Sequence, residues 1–437
     1  MLSEKKISKQ NKIFELLILL LVITSYTIPL YFYGVESTED YSHTNFFLKL
    51  SSENFFNPFF FYFDLLGPGS RLSLGTGLDY FYIPSLFIGN LSLFYFFSII
   101  FCFYIQFNYL KKLLKLFNCK FFYLLFVLYS FNITYLNQLL INDSIKTLFS
   151  LSFFPLIFYY FLKFIRSEKA HYFFKFLLAF SYFFLNSHPT INLMIIIAFL
   201  FFLIMNKSFF IFKKKYTYFG LLLFLILISD YSYKIIYDFP KYEEALRQQL
   251  FDIKFKHLSS GIVFVFKFFE DFFNFDFPFL SKTDVMDNKM LPFGGLLFYF
   301  AFFYSIKEIF SNNSNRIYFI NYLFLLSIVV ILLDTSKYTS SIINNNHTYR
   351  DLMNFLSVIL LGLFLTKIKN KKVLHSVILI SLVSTILHYS STLFMQANQK
   401  KLTYNQLKIN EDYKNFAFYE FSKNITFSEK EPAKTYI

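Results

Sequence analysis

The constraint that most limits this chain is the recurrence of long apolar runs, each about the length of a bilayer core, separated by short lysine-rich clusters. A helix needs roughly 20 apolar residues to cross the ~30 Å hydrocarbon layer, and helices suit that layer because every backbone group bonds within the segment. On this criterion the chain reads as an all-α polytopic membrane protein with about eleven spans. Their approximate positions are 13–33, 84–108, 120–137, 146–164, 172–186, 190–206, 216–233, 291–307, 317–333, 352–366 and 373–393. Hydrophobic residues at 56% and charged residues at only 16% exclude an ordinary soluble domain.

The net charge of +14 is not a nucleic-acid signature, because the basic residues sit between apolar runs rather than on one soluble face. They alternate. One set of loops holds the N-terminal Lys5, Lys6, Lys9 and Lys12, then Lys111/Lys112/Lys115/Lys120, Lys163/Arg166/Lys169/Lys175, Lys207/Lys213/Lys214/Lys215, Lys307/Arg316 and Lys367/Lys369/Lys371/Lys372. The opposing short loops hold only Lys49, Arg71, Lys146, Lys337 and Arg350. Positive residues are retained on the cytoplasmic side, so the expected topology has a cytoplasmic N-terminus, a first span acting as a retained signal anchor, and a C-terminus outside. The expected location is a bacterial cytoplasmic membrane.

Three longer segments then face outward, at 34–80, 234–290 and 394–437. The expected organisation is a transmembrane domain over 1–393 with a short outer tail over 394–437. Residues 261–280, Phe-rich but carrying Lys267, Glu270, Asp271 and Asp276, read as an interfacial or re-entrant helix. Two cysteines, Cys102 in an apolar run and Cys119 in a lysine-rich loop, support neither a disulfide framework nor a thiolate metal site. Phe 70, Tyr 34 and no Trp match an A/T-rich codon bias and carry no site inference.

Candidate chemistry gathers in the outward loops. Glu39-Asp40 lies just after the first span, in Glu36-Ser37-Thr38-Glu39-Asp40-Tyr41-Ser42-His43. Adjacent carboxylates near a low-dielectric boundary repel, which suits one of them to act as a general base; alternatively one holds a divalent cation while the other stays free. The bland reading is a solvated acidic loop or a helix N-cap. The segment 67–80 concentrates Gly67, Gly69, Gly75 and Gly77 around Arg71, either a phosphate- or sugar-binding turn or a plain connector. His188 in Asn186-Ser187-His188-Pro189-Thr190, and Tyr349-Arg350-Asp351 at the start of a late span, are polar groups at span ends suited to neutralise a lipid phosphate. Asn142-Asp143 is a further outer polar pair. Asn132-Ile133-Thr134 and Asn424-Ile425-Thr426 match the glycosylation pattern, with little weight in a bacterial chain.

The order of these features, with LGTGLDYFYIPSLF leading into the second span, an NSHPT turn and a late HTYRDLMNF span start, resembles the YfhO-like bacterial membrane proteins and, more broadly, the GT-C superfamily of integral-membrane glycosyltransferases. The resemblance covers about 34–366 and implies a GT-C-like fold with interfacial helices in the outer loops. It implies a polyprenyl-phosphate sugar as donor, Asp40 or Glu39 as catalytic carboxylate, and Arg71, His188, Arg350, His43 and Tyr349 around the substrate. No resident metal or other cofactor is implied with certainty. The expected partners are the lipid-linked sugar and membrane lipid, with no nucleic acid. A lipid or polysaccharide transporter, or a non-catalytic membrane subunit, is the competing reading.

Overall fold

The computed structural model describes residues 2–33, 62–63, 70–71, 91–136, 139–140, 145–187, 214–229, 303–308 and 346–409, with single positions at 192, 195, 196, 199, 200, 203 and 320. Nine helices and one short strand pair organise these described residues: α1 (Leu2–Tyr33), β1 (Tyr62–Phe63), β2 (Ser70–Arg71), α2 (Leu91–Leu116), α3 (Phe122–Ser130), α4 (Ile133–Leu136), α5 (Ile145–Ser167), α6 (Ala170–Asn186), α7 (Lys215–Leu227), α8 (Asn346–Lys367) and α9 (Lys371–Ile409). β1 and β2 pair antiparallel with Tyr62 opposite Arg71.

Three helices are long and apolar enough to cross a membrane, at Lys12–Tyr31, Leu93–Leu116 and Leu148–Ser167; Lys215–Leu227 and Asn354–Lys367 are shorter apolar helices. Leu16, Leu17, Leu20 and Leu21 on α1, Phe96, Phe97 and Phe101 on α2, and Leu379, Val383 and Ile386 on α9 are exposed. Such a surface would be a liability in water and is ordinary against lipid. The protein is accordingly an apolar helical membrane protein.

Side-chain contacts give the helix directions. Glu15 pairs with Lys111 while Tyr26 stacks on Phe103, so α1 and α2 run antiparallel. Phe101 meets Phe153 and Tyr109 meets Tyr160, so α2 and α5 run parallel. Phe164–Phe173 and Phe154–Phe183 set α6 antiparallel to α5. Contacts of Gly362 with Leu125 and of Phe355 with Tyr129 do the same for α8 and α3. The α2–α3 and α5–α6 turns, the start of α7 and the end of α8 therefore collect at one end of the bundle, together with Glu15 of α1. Among the described residues, the lysine clusters predicted to share a side share an end; Lys207, Lys213 and Arg316 lie outside the described residues.

Helix termination at that end has a local cause. Asn118 follows α2 with φ 56°, and the Asn118 and Cys119 amides donate back to the Lys115 and Leu114 carbonyls at 3.1 and 3.0 Å. This is the left-handed closure that Asn tolerates and that saves carbonyls at a helix end. Cys119 is buried under α8 instead of lying in an open loop; burial pushes its thiol up to about 11, a hydrogen bond with Thr366 pulling the other way. At Gly362 an added Cβ would come 2.6 Å from Leu125 Cδ1 and 3.3 Å from Cys119 Sγ, so this glycine is what lets α8 approach α3.

Two of the described helices carry an internal proline, which removes the N–H that the carbonyl four residues earlier needs. For Pro155 of α5 that carbonyl belongs to Leu151, and it accepts from the buried Tyr129 hydroxyl at 2.7 Å. For Pro29 of α1 it belongs to Ser25, and Tyr389 of α9 donates to it at 2.7 Å. In a medium without water each freed carbonyl must find a partner inside the protein. Here both partners are tyrosines from another helix.

The single span expected over 120–137 is broken. α3 stops at Ser130, and α4 restarts at Ile133. Side chains bond several of the polar groups at the break. Tyr26 donates to the Ser130 carbonyl. Asn132 Nδ2 donates to the Tyr129 carbonyl at 2.7 Å, and Asn132 Oδ1 accepts from the Tyr135 amide at 2.9 Å. Asn132 is thus a buried cap of α4, and its match to the glycosylation pattern is coincidental to that role.

The other boundaries also shift. α2 extends past 108 to Leu116 and takes Lys111, Lys112 and Lys115 onto its last turns. α9 continues through 394 to Ile409, so the expected tail begins as a continuation of a 39-residue helix, about 58 Å long at 1.5 Å per residue. The interfacial helix expected at 261–280 and the span at 291–307, apart from its last few residues, lie outside the described residues, as does all but one position of the span at 317–333.

Candidate functional site

The predicted site residues divide by where they fall. Glu39, Asp40, His43 and His188 lie outside the described residues, and so does Asn142-Asp143. Arg71 is on β2, in register with Tyr62 of β1. Tyr349 and Arg350 are in the first turns of α8. The helices that flank Glu39-Asp40, His188 and Arg350 have those ends at the same end of the bundle. α1 finishes at Tyr33, α6 finishes at Asn186, and α8 begins at Asn346, all at the end of the bundle away from the basic turns.

The α6 end is tied down by side chains. Ser187 Oγ donates to Asn192 Oδ1 at 2.5 Å, and Asn192 Nδ2 donates to the Phe184 carbonyl at 2.7 Å. Asn186 Nδ2 donates to the Tyr182 carbonyl at 2.7 Å. All three polar residues are buried. The Asn-Ser of the NSHPT turn is therefore used to close a helix end, which is why those residue types stand there.

A second polar group lies within the bundle, and the sequence reading missed it. Gln106 of α2 donates through Nε2 to Ser130 Oγ at 3.0 Å and accepts through Oε1 from the Tyr135 hydroxyl at 2.5 Å. The Tyr135 hydroxyl also lies 3.2 Å from Ser152 Oγ of α5. Gln106, Ser130, Tyr135 and Ser152 are all completely buried. The signal available in the sequence was a lone Gln inside an apolar run, which in a membrane marks either an interhelical tie or a substrate path. Every member here is neutral and hydrogen-bonded to protein, the pattern of a tie.

At the basic end, Glu308 pairs with Lys367 at 2.6 Å, and Lys367 sits 5.3 Å from the Tyr304 ring centroid. Glu15 pairs with Lys111 and accepts from the Tyr123 hydroxyl at 3.1 Å. Among the described residues no group of three His, Cys, Asp or Glu lies close enough to hold a metal ion. No protein-family model and no curated protein matches the chain.

Proposed function

We propose that this chain is a multi-pass glycosyltransferase of the GT-C kind in a bacterial cytoplasmic membrane. It would move a sugar from a polyprenyl-phosphate donor to an extracytoplasmic acceptor. The observation that supports the reading is that α1 and α6 end, and α8 begins, at the end of the bundle opposite the basic turns. Positive residues mark the cytoplasmic side, so the opposite end faces outward, where lipid-linked sugars are used. Glu39 follows Tyr33 so closely that the intervening chain spans at most about 21 Å. The acidic pair is therefore tethered to the outer end of α1.

The chemistry needs little beyond these groups. The Asp40 carboxylate takes the proton of the acceptor hydroxyl as its oxygen attacks the anomeric carbon. The bond from that carbon to the phosphate oxygen breaks with inversion, and the polyprenyl phosphate leaves with the electron pair. Arg350, Arg71 and His188 are the cationic groups available to offset the charge that develops on the departing phosphate.

The break between α3 and α4 favours a second reading, a transporter, because discontinuous helices often line substrate sites. The Ser130 and Tyr129 carbonyls and the Asn132 side chain at this break are paired within the protein and are uncharged, which supports the enzyme over a polar transport path. The deciding assay reconstitutes the full chain in vesicles with radiolabelled polyprenyl-phosphate hexose and follows the label. Loss of label from the lipid to a water-soluble or protein acceptor is the expected result. Label that crosses the bilayer still attached to its lipid would overturn the proposal in favour of transport.

A further inference from the structure

The basic end carries a cluster that packs α2, α5 and α6 against one another and that the proposed transfer does not use. Tyr109 and Lys112 come from α2, Tyr159, Tyr160 and Lys163 from α5, and Tyr172 from α6. The Tyr109 and Tyr160 hydroxyls are 3.0 Å apart. The Tyr109 and Tyr159 rings are 5.9 Å apart, and those of Tyr159 and Tyr160 are 5.3 Å apart. Lys112 Nζ lies 4.4 Å from the Tyr109 ring centroid and 5.9 Å from that of Tyr159, and Lys163 Nζ lies 5.8 Å from that of Tyr172. Four phenols and two ammonium groups thus converge across three helices.

The carboxylates near this cluster are engaged elsewhere. Glu15 pairs with Lys111, and Glu168 pairs with Lys214 at 3.7 Å. Among the described residues neither Lys112 nor Lys163 meets a carboxylate. Arg166 of the same helix as Lys163 donates to the Leu116 carbonyl at 2.8 Å. Two ammonium groups set against aromatic faces, with hydroxyl donors beside them, lack only an anion.

We propose that this cluster binds the phosphodiester headgroup of an anionic phospholipid. The lipid source follows from the stripe below it: Phe101, Ile105, Tyr109 and Lys112 recur at helical spacing along one face of α2. Phe101 is 46% exposed and Ile105 partly so, which gives an acyl chain an apolar track ending at the cation. Basic residues between spans at a cytoplasmic interface recognise such headgroups, and tyrosine sits favourably at that depth. The site is independent of the transfer chemistry and lies at the other end of the bundle.

The test is native mass spectrometry of the purified full chain titrated with phosphatidylglycerol, with phosphatidylcholine as the zwitterionic control. Lys112→Gln with Lys163→Gln is expected to weaken phosphatidylglycerol retention about tenfold or more. Lys369→Gln with Lys371→Gln, an equal change of charge at the exposed α8–α9 turn, is expected to leave it unchanged. Inorganic phosphate at matched concentration is expected not to compete. Equal loss in both double variants, no loss in the first, equal retention of phosphatidylcholine, or displacement by inorganic phosphate would each overturn the proposal.

Discussion

Asp40→Asn is expected to reduce sugar transfer by about 10²- to 10⁴-fold while leaving the fold intact, the range that a positioned general base contributes. The isosteric amide keeps a hydrogen-bonding group but cannot take the acceptor proton. Rate should therefore fall without a matching loss of donor binding. Glu39→Gln should reduce transfer much less, because a carboxylate whose role is to raise the basicity of its neighbour is not itself the proton acceptor. The measurement is initial rate at saturating donor for both variants, with the unfolding midpoint as a control. If both variants transfer at the wild-type rate, the acidic pair is a loop or helix-cap feature and the base lies elsewhere.

Tyr129→Phe is expected to cost about 1–2 kcal/mol, because it leaves the Leu151 carbonyl without the donor that replaces the missing Pro155 amide. The informative experiment is the pair. In a Pro155→Ala background the backbone amide at that position returns and can bond the Leu151 carbonyl itself, so the same Tyr129→Phe change should cost much less. The two substitutions should couple by about 1 kcal/mol in an unfolding cycle in mixed detergent micelles. Tyr389→Phe with Pro29→Ala should repeat the result at the α1–α9 contact, through the Ser25 carbonyl. Equal penalties in both backgrounds would mean that the tyrosines act by ring packing alone.

These tyrosines show what in the fold was legible in the sequence. Apolar length and the lysine clusters located α1, α2 and α5 and placed the basic turns at a common end, because bilayer thickness and charge retention act on local composition. Pro29 and Pro155 were equally visible, yet their remedies come from residues such as Tyr389, far away in sequence. No local pattern announces such a pairing. The α3–α4 break escaped for a related reason: Phe122 to Leu136 is apolar enough to span without interruption, and only Asn132 betrays the cap. The end of α2 was placed short because lysine was read as loop, whereas a lysine near a span end keeps a helical backbone and reaches outward with its head. The end of α9 was placed short because the polar composition from 394 onward was read as a separate tail.

The candidate site was legible at a coarser level. Residue type and spacing singled out Glu39-Asp40, Arg71, His188 and Arg350, and topology put them on one side. The described helices put the ends of α1, α6 and α8 at one end of the bundle, and Glu39, Asp40 and His188 themselves lie outside the described residues. The Tyr109–Lys112–Tyr159–Tyr160–Lys163–Tyr172 cluster was not singled out, since tyrosine is abundant throughout this chain and only the packing of α2, α5 and α6 shows which tyrosines converge.

The functional account rests on the outer placement of the acidic pair, and sidedness can be read directly. Cys102 and Cys119 are both buried, so the native thiols leave a quiet background for single introduced cysteines. The variants Ser42→Cys and Lys369→Cys should be treated in intact cells with a membrane-impermeant maleimide. The account predicts rapid labelling at position 42 and labelling at position 369 only after permeabilisation. Labelling of position 369 in intact cells, with position 42 protected until permeabilisation, would contradict it.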